Sequence, residues 1–172
     1  MKATRWTVLS FLFLSACVTK TEITRLRAGP PQLTAAESLY VFIPADGVYE
    51  NKRFAGSALA TSKAVFVAFY KRTPHVKLGN LTERFEEGMK AARAAQSKYL
   101  VRPTLLHWED RATQWSGKPD QIDVKLELID VATGKVVNST RLKATSESMS
   151  HLSSRPEDLL PKPLEQFVSS LY

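Results

Sequence analysis

From Ile122 to Leu128 apolar and charged residues alternate without a break. Ile122, Val124, Leu126 and Leu128 are interleaved with Asp123, Lys125 and Glu127. This pattern constrains the fold more than any other feature of the chain. Successive side chains of a strand point to opposite faces, so one face here packs into a core and the other meets water. A strand wet on one face belongs to antiparallel sheet. Ala132-Thr133-Gly134-Lys135 supplies a turn, and residues 136–146 return as the partner strand.

The preceding segments read as alternating strands and helices. Residues 39–45 (LYVFIPA) form a short apolar run rich in β-formers, which predicts a buried strand broken by Asp46-Gly47. Ser57 is placed to cap a following helix, with Leu59, Phe66, Phe69 and Tyr70 as its apolar face and Pro74 as its stop. His75 to Leu78 reads as a short strand. Thr82 to Ser97 is the clearest helix: Thr82 as N-cap, acidic Glu83, Glu86 and Glu87 at the positive end, and Phe85, Met89 and Ala92 as the buried stripe. Tyr99 to Trp108 reads as the next strand, in which Pro103 lacks a donor and so marks an edge or a bulge. Pro161 and Pro163 open a last helix, whose Leu164, Phe167, Val168 and Leu171 recur at helical spacing. The predicted order is β-α-β-α-β-β-β-α. That is an α/β fold, a single-domain sandwich with a mixed sheet covered by helices.

The N-terminus determines the compartment. Lys2 and Arg5 precede an apolar run from Trp6 to Leu14, which ends in Leu14-Ser15-Ala16-Cys17. A basic start, a short apolar stretch and small residues before the cut make a secretory signal peptide. The run is too short for a span, which takes about 20 apolar residues. The ending resembles a bacterial lipobox, in which the cysteine is acylated and becomes the new N-terminus. In lipoprotein sorting, Asp directly after that cysteine favours retention in the inner membrane. The residue here is Val18, so the expected address is the periplasmic side of the outer membrane. The expected organisation is a signal peptide over 1–16, the lipidated cysteine with a flexible tether over 17–38, and an α/β domain over 39–172.

Cys17 is the only cysteine among the 172 residues, so acylation leaves none for a disulfide or a thiolate metal site. No cofactor and no metal are expected. The precursor carries a formal +7, and losing Lys2 and Arg5 with the signal brings the mature balance to +5. Behind a lipoprotein signal the anionic partners at hand are phospholipid headgroups and peptidoglycan carboxylates, not nucleic acid.

The densest group of functional side chains runs from His107 to Asp120. Trp108, Glu109, Asp110, Arg111, Trp115 and Lys118 combine aromatic surface with both signs of charge, which suits either recognition of an envelope protein or peptidoglycan or an ordered loop that braces the core edge, with Arg111 paired to the carboxylates. The alternative is an envelope hydrolase or metal-dependent enzyme in which His107 and Glu109 share a strand face beside Asp110. Only His75 and His151 remain as further histidines, and neither stands at ligand spacing. Gly56-Ser57-Ala58 lacks the closing glycine of a nucleophile elbow. No phosphate-binding glycine loop and no zinc spacing occur.

WEDRAT at 108–113 and WSGKPD at 115–120 resemble a family of Gram-negative lipoproteins catalogued only as a domain of unknown function. Supporting stretches are YVFIPADGVYE at 40–50, GSALAT at 56–61, IDVATGKVVNS at 129–139 and DLLPKP with SLY at the C-terminus. The resemblance implies an outer-membrane lipoprotein with no assigned activity or catalytic residues. More distantly, the β-α order and the IDVATGKV hairpin look like α/β domains of periplasmic accessory lipoproteins, such as the curli-secretion lipoprotein and the activator of a penicillin-binding protein. Fold alone does not carry function.

Overall fold

The computed structural model describes residues 19–27, 32–81, 84–110, 118–146 and 155–172. The expected signal peptide over 1–16, Cys17, Val18, Thr82, Glu83, Arg111, Trp115 and His151 lie outside them.

A six-stranded mixed sheet organises the chain. Its strands are β1 (Lys20–Arg27), β2 (Leu39–Val41), β5 (Val76–Leu78), β6 (Tyr99–Glu109), β7 (Gln121–Asp130) and β8 (Val136–Thr145), in spatial order β1-β8-β7-β6-β2-β5. β3 (Val48–Tyr49) and β4 (Lys52–Arg53) form a separate small hairpin. The helices are α1 (Ser57–Tyr70), α2 (Phe85–Ala94) and α3 (Pro161–Ser169), with a 3-10 turn at Pro156–Leu159 before the last. The predicted β-α-β-α-β-β-β-α order is present as β2-α1-β5-α2-β6-β7-β8-α3, and β1 and the small hairpin are additions to it.

The long hairpins carry the alternation read from the sequence. β6 and β7 pair from Tyr99 with Asp130 to Glu109 with Gln121, and β7 and β8 from Gln121 with Thr145 to Ile129 with Val136. Val124, Leu126 and Leu142 are completely buried under α1 and α3, in one cluster with Val65, Phe69, Leu164 and Phe167. Near β2 the opposite face is covered by α2, whose Met89 and Ala92 pack on Tyr40, Phe42 and Leu100. Elsewhere it carries side-chain ion pairs: Arg102 with Glu127, Lys125 with Glu127 at 2.6 Å, and Arg141 with Asp123 at 2.8 Å. Burial alone would raise the Glu127 carboxyl. The hydrogen bonds from Lys125 and Arg102 outweigh it and hold the group below the ordinary carboxylate value.

Pro103 sits at the edge its chemistry requires. Phe42 donates to the Val101 carbonyl at 2.9 Å, so odd-numbered positions of β6 face β2. β2 stops at Val41, opposite Val101, and by the same parity Pro103 faces past its end.

Three expectations need correction. Residues 17–38 are not a flexible tether throughout: β1 pairs along β8 from Lys20 with Thr145 to Arg27 with Ser139. Leu33 is also buried and donates to the Leu171 carbonyl at 2.6 Å. The strand is polar because it is an exposed edge, so no apolar run announces it. The face of α1 is rotated from the predicted one. Thr61, Ser62, Val65, Ala68 and Phe69 face the core, and Tyr70 is 57% exposed. Small polar side chains enter that face because one of them is satisfied there: Ser62 donates to the Phe42 carbonyl at 3.0 Å. Finally, Ser57 is not the cap of α1. Its buried hydroxyl accepts from the Gly47 N–H at 2.9 Å, and the Asp46 carboxylate accepts from the Ala58 N–H at 3.1 Å. The cap position itself is Gly56, at φ 87°, where a side chain would be strained. In α2 the entry is stabilised by Glu87, whose carboxylate accepts from the Arg84 N–H at 3.1 Å.

Candidate functional site

β6 runs parallel to β2 but continues well past it, since β2 stops at Val41 opposite Val101 and β6 ends at Glu109. The chain after β2 passes the end of β6 at Gly47 before it enters the small hairpin and α1. A cavity of about 580 Å³ lies beside the end of β6, lined by Lys52, Arg53, Ser57, Trp108, Asp110 and Arg155 among others.

Trp108 forms its floor. The residue ends β6 on the core face and is 3% exposed. Its backbone lies so close to the loop after β2 that a Cβ at position 47 would come within 2.9 Å of the Trp108 Cβ. Glycine is required at 47 for that approach. His107 and Glu109 point to the other face, as the strand period demands. The His107 Nε2 and Glu109 Oε2 atoms are 3.3 Å apart, and the His107 ring packs edge-on against Tyr49 with centroids 4.4 Å apart. Glu109 is 4% exposed.

The sequence-predicted group is therefore divided. Trp108 and Glu109 are buried at the end of β6 on opposite faces. Asp110 is exposed and lines the cavity on the side of Trp108. Lys118 is exposed just before β7. His107 and Glu109 meet as the alternative enzymatic reading needs, but Asp110 does not join them. Among the described residues, no group of three or more His, Cys, Asp or Glu could hold a metal ion.

Sequence reasoning missed Lys52, Arg53 and Arg155, the cations of the cavity. Arg53 pairs with Asp46 at 3.3 Å, Arg155 with Glu157 at 3.7 Å, and the Lys52 ammonium sits over the Phe54 ring at 4.8 Å. No local pattern links residues 52, 108 and 155. Only the β2-α1 crossover and the return of the chain before α3 bring them together.

Residues 31–171 match the family model described as Domain of unknown function (DUF4823). The chain belongs to this family. No curated protein matches it. Among solved structures it is similar to a PelC dodecamer from Paraburkholderia phytofirmans, at 20% identity and a TM-score of 0.67 over 85% of this chain and 96% of that one. A single-residue variant of that dodecamer in another crystal form gives 21% identity and a TM-score of 0.65, over 86% and 96%. A Xanthomonas campestris protein of family DUF330 matches at 16% identity and a TM-score of 0.50, over 82% and 83%. At these identities the DUF4823 chain shares a fold with them.

Proposed function

We propose that this DUF4823 protein is a lipid-anchored accessory protein of the outer membrane, held by acylated Cys17, facing the periplasm and acting by binding. The observation that carries the reading is the Leu14-Ser15-Ala16-Cys17 ending behind a short apolar signal, with Val18 next. The recognition surface is the rim around the end of β6, where Asp110 and Lys118 are exposed above buried Trp108 and Glu109. Arg111 and Trp115 extend the same segment in sequence. An envelope protein or peptidoglycan is the partner this mixture of charges suits. The enzymatic alternative through His107, Glu109 and Asp110 has less support, because a catalytic site needs groups convergent in one pocket and Asp110 faces away from the other two.

Self-association is a second part of the proposal. The PelC neighbour is a dodecamer, and α1 here is apolar nearly all round. An apolar outer face on a surface helix is unusual unless something covers it. Val67 is 52% exposed, and Phe66 stacks on Tyr70 with centroids 5.6 Å apart.

Fractionation tests the anchor: wild-type protein should sediment with outer membranes, and Cys17→Ser should not. Wild-type protein in the soluble periplasm would reject the reading. A photo-crosslinker at Lys118 tests the surface in intact cells. Capture of a defined envelope protein or of peptidoglycan is expected, and a cell whose captured products are unchanged when the probe is moved to Lys135 would reject it.

A further inference from the structure

We propose that β1 is a releasable strap. Zipped onto β8 it holds the domain close to the bilayer, and unzipped it becomes a tether that lets the domain reach away from the membrane. The proposal rests on acylation of Cys17 as read above.

Chain length sets the two distances. Lys20 opens β1 and is paired with Thr145. Only Val18 and Thr19 separate it from Cys17. Three Cα steps reach at most about 11 Å whatever their conformation. The other end of the strap is fixed without β1: Leu33 is buried and donates to the Leu171 carbonyl at 2.6 Å. Once β1 leaves β8, the first fixed point is Leu33, sixteen residues after Cys17. A flexible chain of that length has a root-mean-square span of about 20–24 Å and a full extension of roughly 55 Å.

β1 is held weakly where the inner strands are held firmly. β7 lies between two neighbours and buries Ile122, Val124, Leu126 and Leu128, whereas β1 pairs with β8 alone. Every residue of β1 except Thr21 is exposed, and its two large apolar side chains, Ile23 and Leu26, are 39% and 51% exposed. The register shifts between Arg25 and Arg27, which interrupts the ladder. Outside the ladder, the Thr140 hydroxyl donates to the Thr24 carbonyl at 3.0 Å. Charge adds one attractive contact. Glu22 stands opposite Lys143 and diagonal to Arg141, which is itself paired with Asp123 at 2.8 Å. Lys20 is diagonal to Lys143 and repelled by it, and Arg25 and Arg27 face Thr140 and Ser139. The strand carries three cations and one acid, so Glu22 is its electrostatic latch. A segment with few buried apolar contacts and solvent-exposed backbone hydrogen bonds opens locally, without global unfolding.

The test uses the full acylated protein, on vesicles for hydrogen exchange and on a supported bilayer for neutron reflectometry. Acyl mass on Cys17 is checked first, so that failure of the anchor is seen separately from failure of the strap. Lys20→Cys combined with Thr145→Cys staples the strap shut, because directly opposed residues of an antiparallel pair lie within disulfide reach. Glu22→Lys turns the latch into a repulsion. In the wild type the protected amides of β1 should exchange about 100-fold or more faster than those of β7. Glu22→Lys should raise the opening of β1 by a further factor of roughly 2 to 30, with β7 protection unchanged. The protein layer of Glu22→Lys should lie about 10 Å further from the bilayer than that of the stapled protein, with the wild type between them. Reducing the staple should move its layer outward to the wild-type position. Amides of β1 that exchange only with those of β7 would overturn the proposal. So would a layer at one position in the stapled and Glu22→Lys proteins, which is the result for an edge strand that frays without letting go.

Discussion

Replacing Trp108 by alanine tests whether the end of β6 is built as described. The indole is 3% exposed and belongs to the cluster that includes Leu142, Leu164 and Phe167. A buried tryptophan removes about 150–250 Å² from water, and at about 25 cal/mol per Å² that corresponds to about 4–6 kcal/mol. Alanine retains part of the packing and the cavity relaxes in part, so the expected loss is about 3–5 kcal/mol. For a domain of this size each kcal/mol moves the midpoint by about 2–4 °C, which predicts a fall of roughly 6–20 °C. Thermal unfolding of the purified protein, followed by near-ultraviolet circular dichroism, measures it. Leu106→Ala on the same strand is the control: Leu106 is 46% exposed and should cost no more than about 1 kcal/mol. Gly47→Ala adds a second constraint. The clash is with the Trp108 Cβ, which alanine at 108 keeps, so Gly47→Ala should destabilise the Trp108→Ala protein as well as the wild type, and because the two positions touch the losses should not simply add. A Trp108→Ala loss below about 1 kcal/mol would refute the placement of this side chain as the floor of the cavity.

Three further outcomes follow from the same geometry. A chain truncated to begin at Leu33 loses β1 and uncovers the edge of β8, so it should melt lower and self-associate more than a chain that retains β1, as read by scanning calorimetry and sedimentation. Arg102→Met removes one partner of buried Glu127 and should cost about 1–3 kcal/mol at neutral pH by denaturant unfolding. The folded Glu127 carboxyl titrates below its unfolded value, so its contribution is present above the ordinary carboxylate range and disappears as pH falls through the folded value; the gap between wild type and variant should close in acid. Burial pushes the Tyr172 phenol up to about 12. Its contribution is complete below the unfolded value and is lost as pH rises towards 12, so Tyr172→Phe should remove the part of the alkaline absorbance change centred there.

Elements whose burial is one-sided and apolar were legible in the sequence. The β6-β7-β8 meander follows from alternation and a Gly-containing turn, and α3 from its helical spacing. β1 escaped because both its edge and much of its surface meet water, which leaves Lys20–Arg27 polar. The core face of α1 escaped because apolar residues surround that helix, so periodicity does not choose a side. The small hairpin turns at Glu50 and Asn51, both at positive φ, with no glycine to mark it. Of the candidate site, the contiguous residues 107–110 were visible as a cluster. Their division between two faces follows from the strand period once β6 is known to extend to Glu109. Lys52, Arg53 and Arg155 could not be foreseen, since only tertiary crossings place them beside Trp108.

The central claim is that Cys17 anchors this domain, and the mass of the mature N-terminal peptide tests it most directly. Protein from the outer-membrane fraction should begin at Cys17 and carry the added mass of its acyl chains. A mature chain that begins elsewhere, or at an unmodified Cys17, would contradict the account.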